Sequence, residues 1–198
     1  MKLYYVIIAV LAISVFGCEK KSKPNEAEKL AQNTHITLPD AIEKRVNALE
    51  ADLNVRMDRR RYDLSDGTVV QIQKFFPGID TLTPIKVREI KQGKDGTHAI
   101  VYYLENDRVY FIHDYNDLTY NPFFKTMSTD EVKYYFQDSK LQSAVKREAI
   151  SPDGKSSPVI TNVPFSTFTP SDSLLKIKEN HLSEINEKFA TLPKIIKK

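Results

Sequence analysis

Between residues 55 and 115 turn-forming residues cut the chain into short β-branched and aromatic runs, and that spacing restricts it to neighbouring antiparallel strands. Ser65-Asp66-Gly67 parts residues 55–64 from 68–76, and Pro77-Gly78 closes the second run. Gly93-Lys94-Asp95-Gly96 parts 85–91 from 97–104, and Asn106-Asp107 leads into 108–115. Short connections of this kind favour hairpins between consecutive runs. The pattern predicts an antiparallel meander sheet of about five strands. Asp-Gly-Thr stands at 66–68 and again at 95–97, but three residues are too few for an internal repeat.

Helical signals flank this section. Thr37 and Asp40 form a cap-like start, and Ile42, Val46, Leu49 and Leu53 follow at helical spacing, which predicts a helix over 39–53. Residues 117–125 read as an aromatic loop around Pro122. Ser128 and Glu131 match a capping box ahead of Val132, Tyr135 and Phe136, which predicts a second helix, continuing or breaking near Asp138-Ser139 and ending by Glu148. Residues 151–158 form a polar loop. Thr169-Pro170-Ser171-Asp172 then starts a last helix, with Leu174, Ile177, His181, Leu182, Ile185 and Phe189 on one face and Pro193 as its stop. Helix, strands, then helices predicts an α+β fold with the helices packed on one face of the sheet.

The formal net charge of +3 over 198 residues gives no support for nucleic-acid binding, which needs a concentrated basic face. Arg59, Arg60 and Arg61 would alternate sides on a strand and so do not form one patch. The length suits a single domain. Beyond Gly17, the glycines at 67, 78, 93, 96 and 154 form no dinucleotide or P-loop pattern. No nucleophile elbow or zinc-protease helix is present either. No catalytic residue and no cofactor is expected.

The hairpin around Asn106-Asp107 holds the candidate binding face: His98, Tyr102, Phe111, His113 and Tyr115. A plain two-residue turn pairs Tyr102 with Phe111, Ile100 with His113 and His98 with Tyr115. That register puts His98 and His113 diagonally on one face, with Asp114 on the other. Two imidazoles without a fixed third ligand do not make a metal site, so none is expected. His181 and Glu184, at i, i+3 on the last helix, find no matching pair on another helix and read as a polar interruption of its apolar stripe. Asp114, Asn116 and Asp117 lack the glycine and distal glutamate of an EF-hand, and turn chemistry accounts for them. For the strand aromatics, core packing is favoured over a sticky surface.

At the N-terminus, Lys2 precedes an apolar run over 3–16, long enough for a signal-peptide core and too short to span a bilayer. Val15-Phe16-Gly17-Cys18 resembles the lipobox of bacterial lipoproteins. The resemblance covers residues 1–18 and implies a signal peptide over 1–17 and lipid attachment at Cys18. It also implies export to the periplasm or cell surface and a membrane as partner. Cys18 is the chain's one cysteine, so lipidation would leave no thiol for disulfides, thiol nucleophiles or Cys-ligated zinc. Residues 18–36 then read as a flexible tether and 37–198 as the single α+β domain. The expectation is a non-enzymatic domain binding a protein, peptide or envelope component. An envelope hydrolase or metal-dependent enzyme, and a purely structural envelope lipoprotein, are the alternatives.

Overall fold

The computed structural model describes residues 37–78, 82–121, 123, 125–151 and 158–194; the signal peptide, Cys18, the tether and most of the 151–158 loop lie outside them. Helix α1 (Leu38–Ala51) is followed by strands β1 (Val55–Asp63), β2 (Val69–Pro77), β3 (Lys86–Gly93), β4 (Gly96–Glu105), β5 (Arg108–Asn121), β6 (Thr126–Gln137) and β7 (Lys140–Ser151). A 3₁₀ turn at Ile160–Asn162, the short strand β8 (Ser166–Thr167) and helix α2 (Asp172–Thr191) complete the domain. The strands lie in chain order in one sheet, every neighbouring pair antiparallel. The α+β meander therefore stands, with eight strands among the described residues where five were expected.

The additional strands come mainly from the segment expected to be helical. Residues 128–148 lie in β6 and β7, joined by Asp138-Ser139 at φ of 51° and 62°. Paired left-handed residues match the twist of a hairpin and exclude a continuing helix. Asn106-Asp107 does the same between β4 and β5, at 50° and 63°. Both hairpins also carry an extra residue just past the turn. Leu104 pairs with Val109 but Tyr103 with Phe111; Phe136 pairs with Leu141 but Tyr135 with Ser143. The aromatic segment 117–125 is not a free loop, because β5 runs through Asn121 and pairs Tyr120 with Met127.

The helices lie on opposite faces of the sheet, not on one. Tyr102 hydrogen-bonds to α2 through the Lys178 carbonyl, whereas its neighbour Tyr103 bonds to Glu50 of α1. Successive strand residues point to opposite faces, so one helix covers each. On the α2 side the core gathers Ile72, Val87, Ile100, Tyr102, Ile112 and Tyr134 against Ile185 and Phe189. On the α1 side Val101, Tyr103, Tyr110, Phe111 and Tyr135 pack against Ile42 and Val46. Local signals set the helix ends. Thr37 and Asp40 form the full capping box of α1, and Ser171 accepts from the Leu174 N–H at the start of α2. The apolar stripes are narrower than expected, since Leu53 lies beyond α1 and is exposed, as is Ile177.

Candidate functional site

The extra residue in the β4–β5 hairpin is Tyr110, and it decides where every candidate residue points. Its side chain joins Phe111 on the α1 side, as the two residues of a bulge do when they oppose one partner. Beyond it the register moves by one: Tyr102 pairs with Ile112, Val101 with His113 and Ile100 with Asp114. His98 and Tyr102 therefore face α2, while Phe111, His113 and Tyr115 face the other way. The five residues do not share a surface. Tyr102 and Phe111 are core, at 0% and 2% exposure. His98 and His113 are on opposite faces, and Asp114, expected to point away from His98, accepts from it: His98 Nε2 is 2.7 Å from Asp114 Oδ1.

Two linked histidine–carboxylate pairs build the site on the α2 side. Glu89 stands in the inward phase of β3, buried, with His181 Nε2 and Lys91 Nζ each 2.9 Å from its Oε2. Asp114 holds His98 on one oxygen and Lys178 on the other. Lys178 and His181, one turn apart on α2, thus fasten the helix to β3 and β5. Burial pushes the Glu89 carboxyl up, but hydrogen bonds from His181 and Lys91 and their charge outweigh it, so its pKa lies below the ordinary value. At Asp114 burial likewise opposes ionisation, and His98 and Lys178 overcome it.

Tyr102 ties the pairs together. Its hydroxyl donates to the Lys178 carbonyl at 3.0 Å and lies 3.0 Å from His181 Nδ1. A hydroxyl has one proton, so with that proton on the carbonyl it accepts from Nδ1. The ionised Glu89 also accepts, from Nε2. Both ring nitrogens of His181 are therefore engaged, Nδ1 by Tyr102 and Nε2 by Glu89. Burial, together with the Asp114 and Glu89 charges, pushes the Tyr102 phenol far above its ordinary value, so the hydroxyl stays neutral.

A cleft of about 360 Å³ opens beside this network, lined by Lys91, His98, Ile177, Lys178, His181 and Glu184 among others. A second recess of about 240 Å³, around the β3–β4 turn, shares Lys91 and His98 with it and adds Thr68, Thr97 and Asn116. The combined wall is polar and mixed in charge, with ammonium, imidazole, amide and hydroxyl donors. Among the described residues no three His, Cys, Asp or Glu side chains converge as a metal ion requires. Asp114 already holds a partner on each oxygen, and Glu89 holds two on Oε2.

The α1 side carries a third pair. His113 Nε2 is 2.7 Å from Glu131 Oε1, and Arg147 Nε is 2.7 Å from Oε2. Burial opposes ionisation of Glu131, but the bonds and charges of His113 and Arg147 prevail and hold its pKa down at about 2. Glu43 and Glu50 of α1 reach the sheet in the same way, onto Tyr135 with Lys133 and onto Tyr103 with Lys86. Sequence reasoning missed Glu89, Glu131, Arg147 and Lys178. A usable signal did exist for Glu89, a carboxylate in the same strand phase as buried Val87. Compared with known proteins, the chain matches no family model, no curated protein and no solved structure.

Proposed function

We propose that this chain is a lipid-anchored, non-enzymatic binding domain of the bacterial cell envelope, tethered through Cys18, whose ligand enters the cleft beside α2. One observation carries the binding half: His98, His113 and His181 each engage a carboxylate through Nε2. Those carboxylates are in turn held by Lys or Arg. Each ring is thereby fixed in place, and His181, which also meets Tyr102 through Nδ1, has neither nitrogen free to reach a substrate proton. The cleft wall offers donors suited to a polar protein, peptide or envelope component, and its shape comes from ordered strands and one helix, which favours recognition without reorganisation. The lipobox resemblance supports the tether, and neither described helix is long and apolar enough to cross a membrane.

Two measurements test this. Growth with an alkyne-tagged fatty acid should label the full chain and place it in the membrane fraction, and Cys18→Ser should abolish both; labelling that survives the substitution would overturn the anchor. Size-fractionated envelope components should include one that raises the melting temperature of the wild type but not of His98→Asp. Mass spectrometry should recover that component unchanged. Its chemical conversion would make the domain an enzyme.

A further inference from the structure

Strand β1 forms one edge of the sheet, and the arginine triplet at 59–61 stands on it. Its pairing with β2 runs unbroken from Val55↔Pro77 to Asp63↔Val69. At the two ends of that ladder the Gly78 N–H donates to the Asn54 carbonyl at 3.3 Å, and the Leu64 N–H to the Thr68 carbonyl at 2.8 Å. Bonded positions alternate along an antiparallel ladder, so the even-numbered residues of β1 exchange bonds with β2. Met57, Arg59 and Arg61 therefore turn their backbone N–H and C=O outward. Among the described residues these outward groups meet one partner, Arg60 Nη1 at 3.2 Å from the Arg59 carbonyl. A carbonyl has a second lone pair, so Arg59 can still accept there.

An edge of this kind is a template for another strand, and its side chains restrict which one. Strand β1 carries four arginines against two aspartates. Asp58 already faces Lys194 and Asp63 faces Arg61, whereas among the described residues the Arg59 side chain has no hydrogen-bond or ion-pair partner. A second copy of β1 fits poorly. The two-fold axis of an antiparallel pair sets one residue against its own copy, and each of residues 58–61 is charged, so an axis anywhere among them opposes like charges. Carboxylates at alternate positions of an incoming strand would instead stand opposite Arg59 and Arg61, which share one face.

We infer that the outer edge of β1 takes an extended acidic segment of a partner protein as an added antiparallel strand. No residue of β1 lines the cleft beside α2, so occupancy of the edge does not depend on that cleft binding anything.

The test follows amide hydrogen exchange by NMR in the ¹⁵N-labelled full chain in nonionic detergent. The probe is a nine-residue peptide, the length of β1, that alternates glutamate with threonine. In the free chain the amides of Asp58, Arg60 and Tyr62 should exchange slowly and those of Met57, Arg59 and Arg61 fast. Peptide at ten times its dissociation constant should slow the second set about tenfold and leave the first set unchanged. Lysine in place of glutamate, or N-methylation of the glutamate amides with the charge kept, should remove this protection. The double variant Arg59→Gln with Arg61→Gln should keep the melting temperature and weaken peptide binding about tenfold, the range of two cross-strand charge pairs. No protection by the glutamate peptide, or equal affinity in the double variant, would overturn the site. Slow exchange of Met57, Arg59 and Arg61 without peptide would overturn the partner. It would assign the edge to another segment of this chain, or to a second copy if the chain sediments as a dimer.

Discussion

Glu131→Gln isolates the ion-pair hub on the α1 side. The carboxylate is 8% exposed and faces His113 and Arg147 at 2.7 Å, with Lys133 at 4.0 Å. Its pKa lies at about 2 against an ordinary 4.5. A carboxylate depressed in the native state contributes stability that is present in full above the unfolded value and lost as pH falls through the folded one. The interval is about 2.5 pH units, or about 3 kcal/mol at neutral pH. Glutamine is close to isosteric, so the substitution removes charge and leaves Arg147 and His113 facing a neutral group.

The expected result is a destabilisation of about 3 kcal/mol at pH 7 that shrinks steadily as pH is lowered from 4.5 towards 2, where the wild-type glutamate is itself protonated. Urea denaturation of the full chain in nonionic detergent, followed by tyrosine fluorescence at several pH values, measures it. Glu43, Glu50, Glu89 and Asp114 also have lowered pKa values, but they titrate alike in both proteins and largely cancel in the difference. A difference that holds constant across that pH range would refute the electrostatic account and assign the loss to packing. A difference below about 0.5 kcal/mol at pH 7 would mean that desolvation of the three partners cancels their attraction.

Two further substitutions probe the α2 side. Ile185→Ala removes the most buried residue of the helix, at 1% exposure, and should cost about 3 kcal/mol in urea denaturation, with a cavity left between α2 and the sheet. Tyr102→Phe deletes the hydroxyl shared by the Lys178 carbonyl and His181 and should cost about 1–2 kcal/mol by the same assay. It should also change the His181 ring nitrogen signals in ¹⁵N NMR, which a loss of packing alone would leave unmoved.

What was legible in the sequence was local. Gly67, at φ of 85°, and Asp66, whose side chain accepts from the Thr68 N–H at 2.9 Å, mark the β1–β2 turn by residue type. Thr37 with Asp40 and Ser171 mark helix starts in the same way. The segment 128–148 misled because its cues fit two structures. Ser128 and Glu131 have capping-box spacing, yet Thr129, Glu131 and Tyr135 also fall in one strand phase and are buried together. The turn that separates the two readings is made by Asp138 and Ser139, legible as a possible break but without the glycine that marks a left-handed hairpin turn most plainly.

The bulge at Tyr110 left no mark, since an added residue in a strand has no characteristic type, and it governs the electrostatics of both faces. Without it, the register of the turn would place Asp114 on the α1 side, among Glu43, Glu50 and Glu131, and His113 on the α2 side, towards Lys178. Like charges would meet on the α1 face, and on the other Lys178 would lose its carboxylate. With it, Asp114 lies under Lys178 and His98, and His113 meets Glu131. The apolar residues discriminate less, because β5 is apolar on both faces near the turn: Phe111 and Ile112, at 2% and 3% exposure, are both core residues and fill opposite sides. Apolar alternation alone would leave this strand free to slip by one position. The charged residues remove that freedom, since an unpaired buried carboxylate costs several kcal/mol and the wrong register would strand at least one. The His98–Asp114 and His113–Glu131 pairs, which join β5 to β4 and to β6, are therefore best understood as determinants of register, holding a strand with two apolar faces in one alignment.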